Sequence, residues 1–260
     1  KKRPAKIAEY SAVLPIPKVI SVRELGRQSF TDSGEGPFSA AWGGKQVWAF
    51  GKHSGSQSAL WYWNDAGKSG DKLGPLQQRK DDRGQPLSLL PFTKDEERFN
   101  RSRSDPRCFE NCSEFWRITP GPVILLPGNG GALLFYSKWF IRPGDITKNW
   151  SLFGTSITLW NNPTAPAVRK NLRPGTAEPT LLFQQPEPAI GIQAFAWGNY
   201  LYAYGRTPEQ GDLLIVARVP LVQALQRNAW RFYAGDSRWS EAWQEAVPVM
   251  NGYRGSVAWN

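Results

Sequence analysis

Three carboxylates and a Lys-His pair are the residues of this chain best placed to do chemistry. Asp32 sits in the turn Thr31-Asp-Ser-Gly-Glu-Gly-Pro37, Glu114 directly precedes Phe115-Trp116, and Glu187 lies in Pro186-Glu-Pro-Ala189 ahead of an apolar strand. A carboxylate at a strand entrance can serve as general base or nucleophile; at Asp32 the competing reading is a turn residue bonding its own backbone beside Ser33 and Gly34. Lys52 and His53 follow the strand Val47-Trp-Ala-Phe-Gly51. A cation and a titratable imidazole there favour an anionic sugar or phosphate group, or form a solvated hairpin end. Trp61, Trp63 and Trp116 flank a long polar segment and read as a ligand wall on which sugar faces stack. Trp42, Trp48, Trp197 and Trp259 recur at matching places and read first as packing between sheets.

Other chemistries lack their residues. With His53 the only histidine and no Gly-x-Ser-x-Gly elbow, a nucleophilic triad is disfavoured. The same shortage leaves too few ligands for a closed zinc site, so neither a metal nor a cofactor is expected. No Gly-rich loop of the phosphate-cradling type occurs. Cys108 and Cys112 lie four positions apart, a spacing that suits a disulfide across a tight loop and also two free thiols.

The elements that must position these residues are short strands. The segment Ser39-Ala-Ala-Trp-Gly-Gly-Lys-Gln-Val-Trp-Ala-Phe-Gly51 is followed by Ser58-Ala-Leu-Trp-Tyr-Trp63. The pattern returns in Gln193-Ala-Phe-Ala-Trp-Gly-Asn-Tyr-Leu-Tyr-Ala-Tyr-Gly205 followed by Asp212-Leu-Leu-Ile-Val-Ala-Arg-Val-Pro220. Between them, Pro122-Val-Ile-Leu-Leu-Pro127, a Gly-Asn-Gly-Gly turn and Ala132-Leu-Leu-Phe-Tyr-Ser137 make a second unit, completed by Gly154-Thr-Ser-Ile-Thr-Leu-Trp160. Repeated three-strand units cannot each bury both faces alone, and the expectation is a stack about an axis, a β-propeller. Residues 1–25 read as an extended lead-in and residues 64–117 as a long polar inter-blade loop; the whole of 1–260 is taken as one domain. Gly255-Ser-Val-Ala-Trp-Asn260 resembles the opening strand of another unit. The propeller is therefore expected either to be incomplete at its C-terminus, as a fragment, or to be closed by the N-terminal strand.

Composition sets the class. Thirteen Trp, 25 Gly and 21 Pro suit many strands and turns rather than long helices, giving an all-β expectation. The formal net charge of +10 favours anionic partners without naming one. Its densest stretch, residues 79–107, interleaves Lys and Arg with six acids and reads as a solvated loop, so nucleic acid is not the expected partner. No apolar run approaches the about 18 residues of a membrane span.

Thr31-Asp-Ser-Gly-Glu-Gly, Val47-Trp-Ala-Phe-Gly51, Ala217-Arg-Val-Pro220, Trp230-Arg-Phe-Tyr-Ala-Gly-Asp-Ser-Arg-Trp239 and Gly255-Ser-Val-Ala-Trp-Asn260 together resemble the bacterial endo-D-arabinanase-like domain family, similar in fold to five-bladed furanosidase propellers. The resemblance runs from about Gly26 onward, and its motifs are short and mostly structural. It implies a secreted or cell-envelope glycoside hydrolase, a monomer acting on furanose-containing, arabinan-type polysaccharide through carboxylates in a central funnel. Asp32 matches the family's first acid. The second acid of the pattern follows the aromatic-Phe-Gly strand, and here that place is Lys52-His53. Two carboxyl groups about 5 to 10 Å apart are needed for the common mechanism. Glu114 or Glu187 must then supply the partner, or the chain is a binding or interaction propeller that has lost catalysis.

Overall fold

The computed structural model describes residues 38–51, 59–65, 73–144, 149–207 and 213–251. Asp32, Lys52, His53, the lead-in and residues 255–260 lie outside them. The described residues form three open antiparallel sheets and one α-helix.

The first sheet is a meander of β1 (Phe38–Trp42), β2 (Lys45–Gly51) and β3 (Ala59–Asp65). Its first turn is set by Gly43 and Gly44, at φ +58° and +74° between the paired residues Trp42 and Lys45. Two left-handed residues in a two-residue loop match the twist of the flanking strands, and glycine adopts them without steric cost. The second sheet runs β4 (Phe115–Leu125), β5 (Ala132–Ile141), β6 (Trp150–Trp160) and β7 (Phe183–Gln184). The third follows the path β12 (Trp239–Ser240), β11 (Arg231–Tyr233), β10 (Leu213–Pro220), β9 (Tyr200–Arg206), β8 (Ala189–Trp197), with β13 (Met250–Asn251) paired separately to β10.

The stacking of these sheets follows from β5. Its run Ala132-Leu-Leu-Phe-Tyr136 is buried at every position, as a strand covered on both faces must be. Leu134 and Tyr136 enter a core shared with Trp42, Trp61 and Trp160 against the first sheet. Leu133 and Phe135 enter another, shared with Ile190, Leu201 and Ile215 of the third. The close approach of β8 depends on Gly191, at φ +107° beside a register shift between Ile190 and Gln193. A Cβ there would lie 2.3 Å from the Phe135 ring, so only glycine lets the strand pass.

The five-bladed propeller expected from the sequence is therefore corrected. The hairpins marked by Trp and Gly do form meandering sheets, but the sheets number three among the described residues and none is closed. They pack face to face in layers, an arrangement of the β-sandwich type, because the middle sheet is apolar on both sides and offers each outer sheet a surface to cover.

The polar segment 64–117, expected as a long inter-blade loop, contains α1 (Lys94–Arg103). Thr93 starts it through a capping box: its hydroxyl accepts from the Glu96 backbone, and the Glu96 carboxylate accepts from the Thr93 backbone. Asp95, Glu96 and Glu97 in the first turn and Arg101 and Arg103 in the last complement the helix dipole. No helix among the described residues is long and apolar enough to cross a membrane.

Candidate functional site

A buried charge network fastens α1 to the second sheet. The Glu96 carboxylate, 5% exposed, is paired with Arg169 and lies 2.8 Å from the Lys138 ammonium of β5; Lys138 also pairs with Glu178. Arg169 donates to the Pro91 carbonyl at 3.0 and 3.2 Å, so loop, helix and sheet converge on one guanidinium. Burial alone would push the Glu96 pKa up. Hydrogen bonds and charge from Arg169, with the charge of Lys138, outweigh that effect and hold it at about 2. The Lys138 ammonium also sits 4.1 Å over the Trp116 ring, which packs on Phe140 and Phe153 at centroid distances of 4.8 and 4.7 Å.

Asn100, on the next turn of the helix, treats β4 as a neighbouring strand would. Its amide donates to the Trp116 carbonyl at 3.0 Å and accepts from the Trp116 N–H at 2.7 Å. Beyond the helix the chain returns through a loop closed by a Cys108–Cys112 disulfide, with Cα atoms 5.7 Å apart, which resolves the open question at that spacing. Ser113 then bonds back to the Arg103 carbonyl at 3.0 Å.

Helix, loop and strand enclose a pocket of about 850 Å³. Glu97, Asn100 and Arg101 line it from α1, Phe92 from the preceding loop, and Glu114 and Phe115 from the entrance of β4. The Glu114 side chain is 13% exposed and lies 3.4 Å from the Arg142 guanidinium; Glu97 is 3.6 Å from Arg101. Carboxylates, an amide, a guanidinium and serine hydroxyls thus face the same volume as two phenyl rings. That mixture suits a ligand with hydroxyl groups around apolar ring faces.

Glu114 is the expected acid that reaches this pocket. Glu187 lies at the start of the third sheet, where its carboxylate accepts from Arg173 and Arg227, each 2.6 Å away, and from the Gln184 N–H at 2.9 Å. That cluster ties Arg173, the end of β7 and the turn at Arg227 together. Trp61 and Trp63, expected at a ligand wall, are core residues: Trp61 is fully buried and donates to the Pro163 carbonyl, and Trp63 donates to the Gln77 side chain. Trp116 stands one residue from the pocket and forms its support rather than its lining. Glu97, Asn100 and Phe92 were not anticipated, although the capping box Thr93-Lys-Asp-Glu96 was readable and marks the helix that carries two of them.

Among the described residues no three of His, Cys, Asp and Glu converge closely enough to hold a metal ion. No protein-family model matches the chain, and no curated protein is significantly similar to it.

Proposed function

We propose that the protein binds saccharide in the cleft between α1 and the entrance of β4, without turning it over. The observation that carries this reading is the placement of Glu114 in a pocket of about 850 Å³ with Asn100, Glu97 and the rings of Phe92 and Phe115. Pockets of this size enclose a small organic ligand, and sparse polar groups on an apolar wall fix its orientation. The propeller that the resemblance implied is not the fold found, so only the short sequence motifs similar to arabinanase-like domains make arabinan-type oligosaccharides the first class to try.

Binding is favoured over hydrolysis by the company the acids keep. A proton donor to a glycosidic oxygen is a carboxyl set apart from positive charge. Glu114, 13% exposed, faces Arg142, and Glu187 is held by two arginines. Such carboxylates are suited to accepting hydrogen bonds from sugar hydroxyls. The hydrolase reading retains one observation in its favour, that Glu97 and Glu114 line the same pocket. The Cys108–Cys112 bond fits a secreted or cell-envelope location, where disulfides persist.

Calorimetric titration with arabino-oligosaccharides, alongside assay of reducing ends, separates these readings. The expected result is binding by the wild type, roughly tenfold weaker binding by Glu114→Gln, and no release of reducing ends. Reducing ends that vanish in both Glu97→Gln and Glu114→Gln would replace the binding reading with the hydrolase one. Absence of binding to any saccharide tried would end both.

A further inference from the structure

The face of the third sheet turned away from the core carries a set of aromatic and cationic side chains. Strand alternation sends Leu201, Ala203, Ala217 and Val219 into the core and their neighbours Tyr200, Tyr202, Tyr204 and Arg218 to the opposite side. Phe195 of β8 is paired with Tyr202, and their rings stack at 5.4 Å and 12°. The Arg218 guanidinium lies between two rings, 4.9 Å from Tyr200 and 4.1 Å from Trp239. Tyr200 is 37% exposed and Trp197, paired with it across the hairpin, 51%.

Arg218 is the distinctive group. Among the described residues no carboxylate pairs with it and no acceptor takes its N–H groups, whereas Arg231, directly opposite it, is matched to Glu241, and Arg238 to Glu245. The two rings hold the guanidinium in place, and a held, planar fork with open donors fits a carboxylate in two parallel hydrogen bonds. A phosphodiester strand carries a charge at every nucleotide and calls for a continuous basic track. One unmatched arginine among aromatic rings instead fits a polymer of stackable sugar rings with spaced carboxylates.

We propose that this face binds an acidic, uronate-containing polysaccharide, its sugar rings lying over the exposed tyrosine and tryptophan rings and a carboxylate seated on Arg218. The surface is distinct from the cleft beside α1, and its occupancy does not depend on the cleft being filled.

The test uses the full chain in affinity electrophoresis through gels containing polygalacturonate, neutral arabinan or poly(dT). Polygalacturonate is expected to retard the wild type. Arg218→Gln should weaken that retention about tenfold or more, and Tyr200→Ser should weaken it as well. Arg218→Lys should fall between wild type and Arg218→Gln, since it keeps the charge and loses the fork. Glu114→Gln, which addresses the cleft, should be retained like wild type. Circular dichroism checks that each variant is folded. Retention by polygalacturonate that is unchanged in Arg218→Gln and Tyr200→Ser would overturn the proposal. So would retention by poly(dT) in preference to polygalacturonate, or no retention by polygalacturonate at all.

Discussion

Replacing Glu96 by Gln isolates the charge that locks α1 to the second sheet. Gln reaches the Thr93 backbone as Glu does, so the capping box is kept. Arg169 then loses its carboxylate, and Lys138 retains only Glu178. The magnitude follows from the pKa. A fall from 4.5 to about 2 is worth about 3 kcal/mol of native-state stability, at about 1.4 kcal/mol for each tenfold change in proton affinity. Leaving a buried cation uncompensated costs about 3–5 kcal/mol by the independent route of broken buried pairs. Both place Glu96→Gln about 3 kcal/mol below wild type at pH 7, a melting temperature lower by roughly 6–12 °C. The sign with pH is fixed by the direction of the shift. A carboxylate whose pKa is depressed by folding stabilises fully above the unfolded value of 4.5, and that contribution is lost as pH falls toward about 2. Urea denaturation of the two proteins should therefore show a gap that narrows to about 1 kcal/mol at pH 3. A gap below about 1 kcal/mol at neutral pH, or one unchanged between pH 7 and pH 3, would refute the reasoning.

Three further perturbations test other parts of the structure. Gly191→Ala forces a Cβ toward the Phe135 ring at a left-handed φ, with an expected loss of about 2–4 kcal/mol in thermal or urea melts; a near-neutral result would contradict the close approach of β8. Glu187→Gln breaks the clamp on Arg173 and Arg227 and should cost about 2 kcal/mol while leaving saccharide affinity in the cleft unchanged; loss of affinity at full stability would place Glu187 in binding instead. The Cys108→Ser, Cys112→Ser double variant opens a small loop and should lose about 2 kcal/mol by denaturant titration, with weaker ligand binding because the loop leads into Glu114; no change in either would make the bond dispensable.

How far the sequence could be read is clearest residue by residue. Trp42-Gly-Gly-Lys45 announced a hairpin, and Ala132-Leu-Leu-Phe-Tyr136 announced a strand, because turn chemistry and apolar runs are local properties. How the sheets meet is not local. Reading them as radial blades required knowing what Leu133 and Leu134 face, and adjacent leucines on opposite sides of one strand say only that both faces are covered. The site divides the same way. Glu114 was visible as an acid ahead of an aromatic strand, but Glu187 looks equivalent in sequence, and only Arg173 and Arg227, drawn from distant segments, set it apart. Trp61 and Trp63 flank a polar stretch and so resemble a wall; the folded chain turns them inward, where Pro163 and Gln77 satisfy their indole N–H groups. Helix α1 went unseen because its surroundings are rich in Gly and charge, although Thr93 and Glu96 carried its start signal.

The central claim, that the cleft beside α1 holds saccharide, is tested most directly by amide hydrogen exchange with and without an arabino-oligosaccharide at saturating concentration. Exchange should slow in residues 97–104 and 113–116 and stay unchanged around Glu187 and Arg227. Slowing confined to other segments, or none anywhere while calorimetry reports binding, would contradict it.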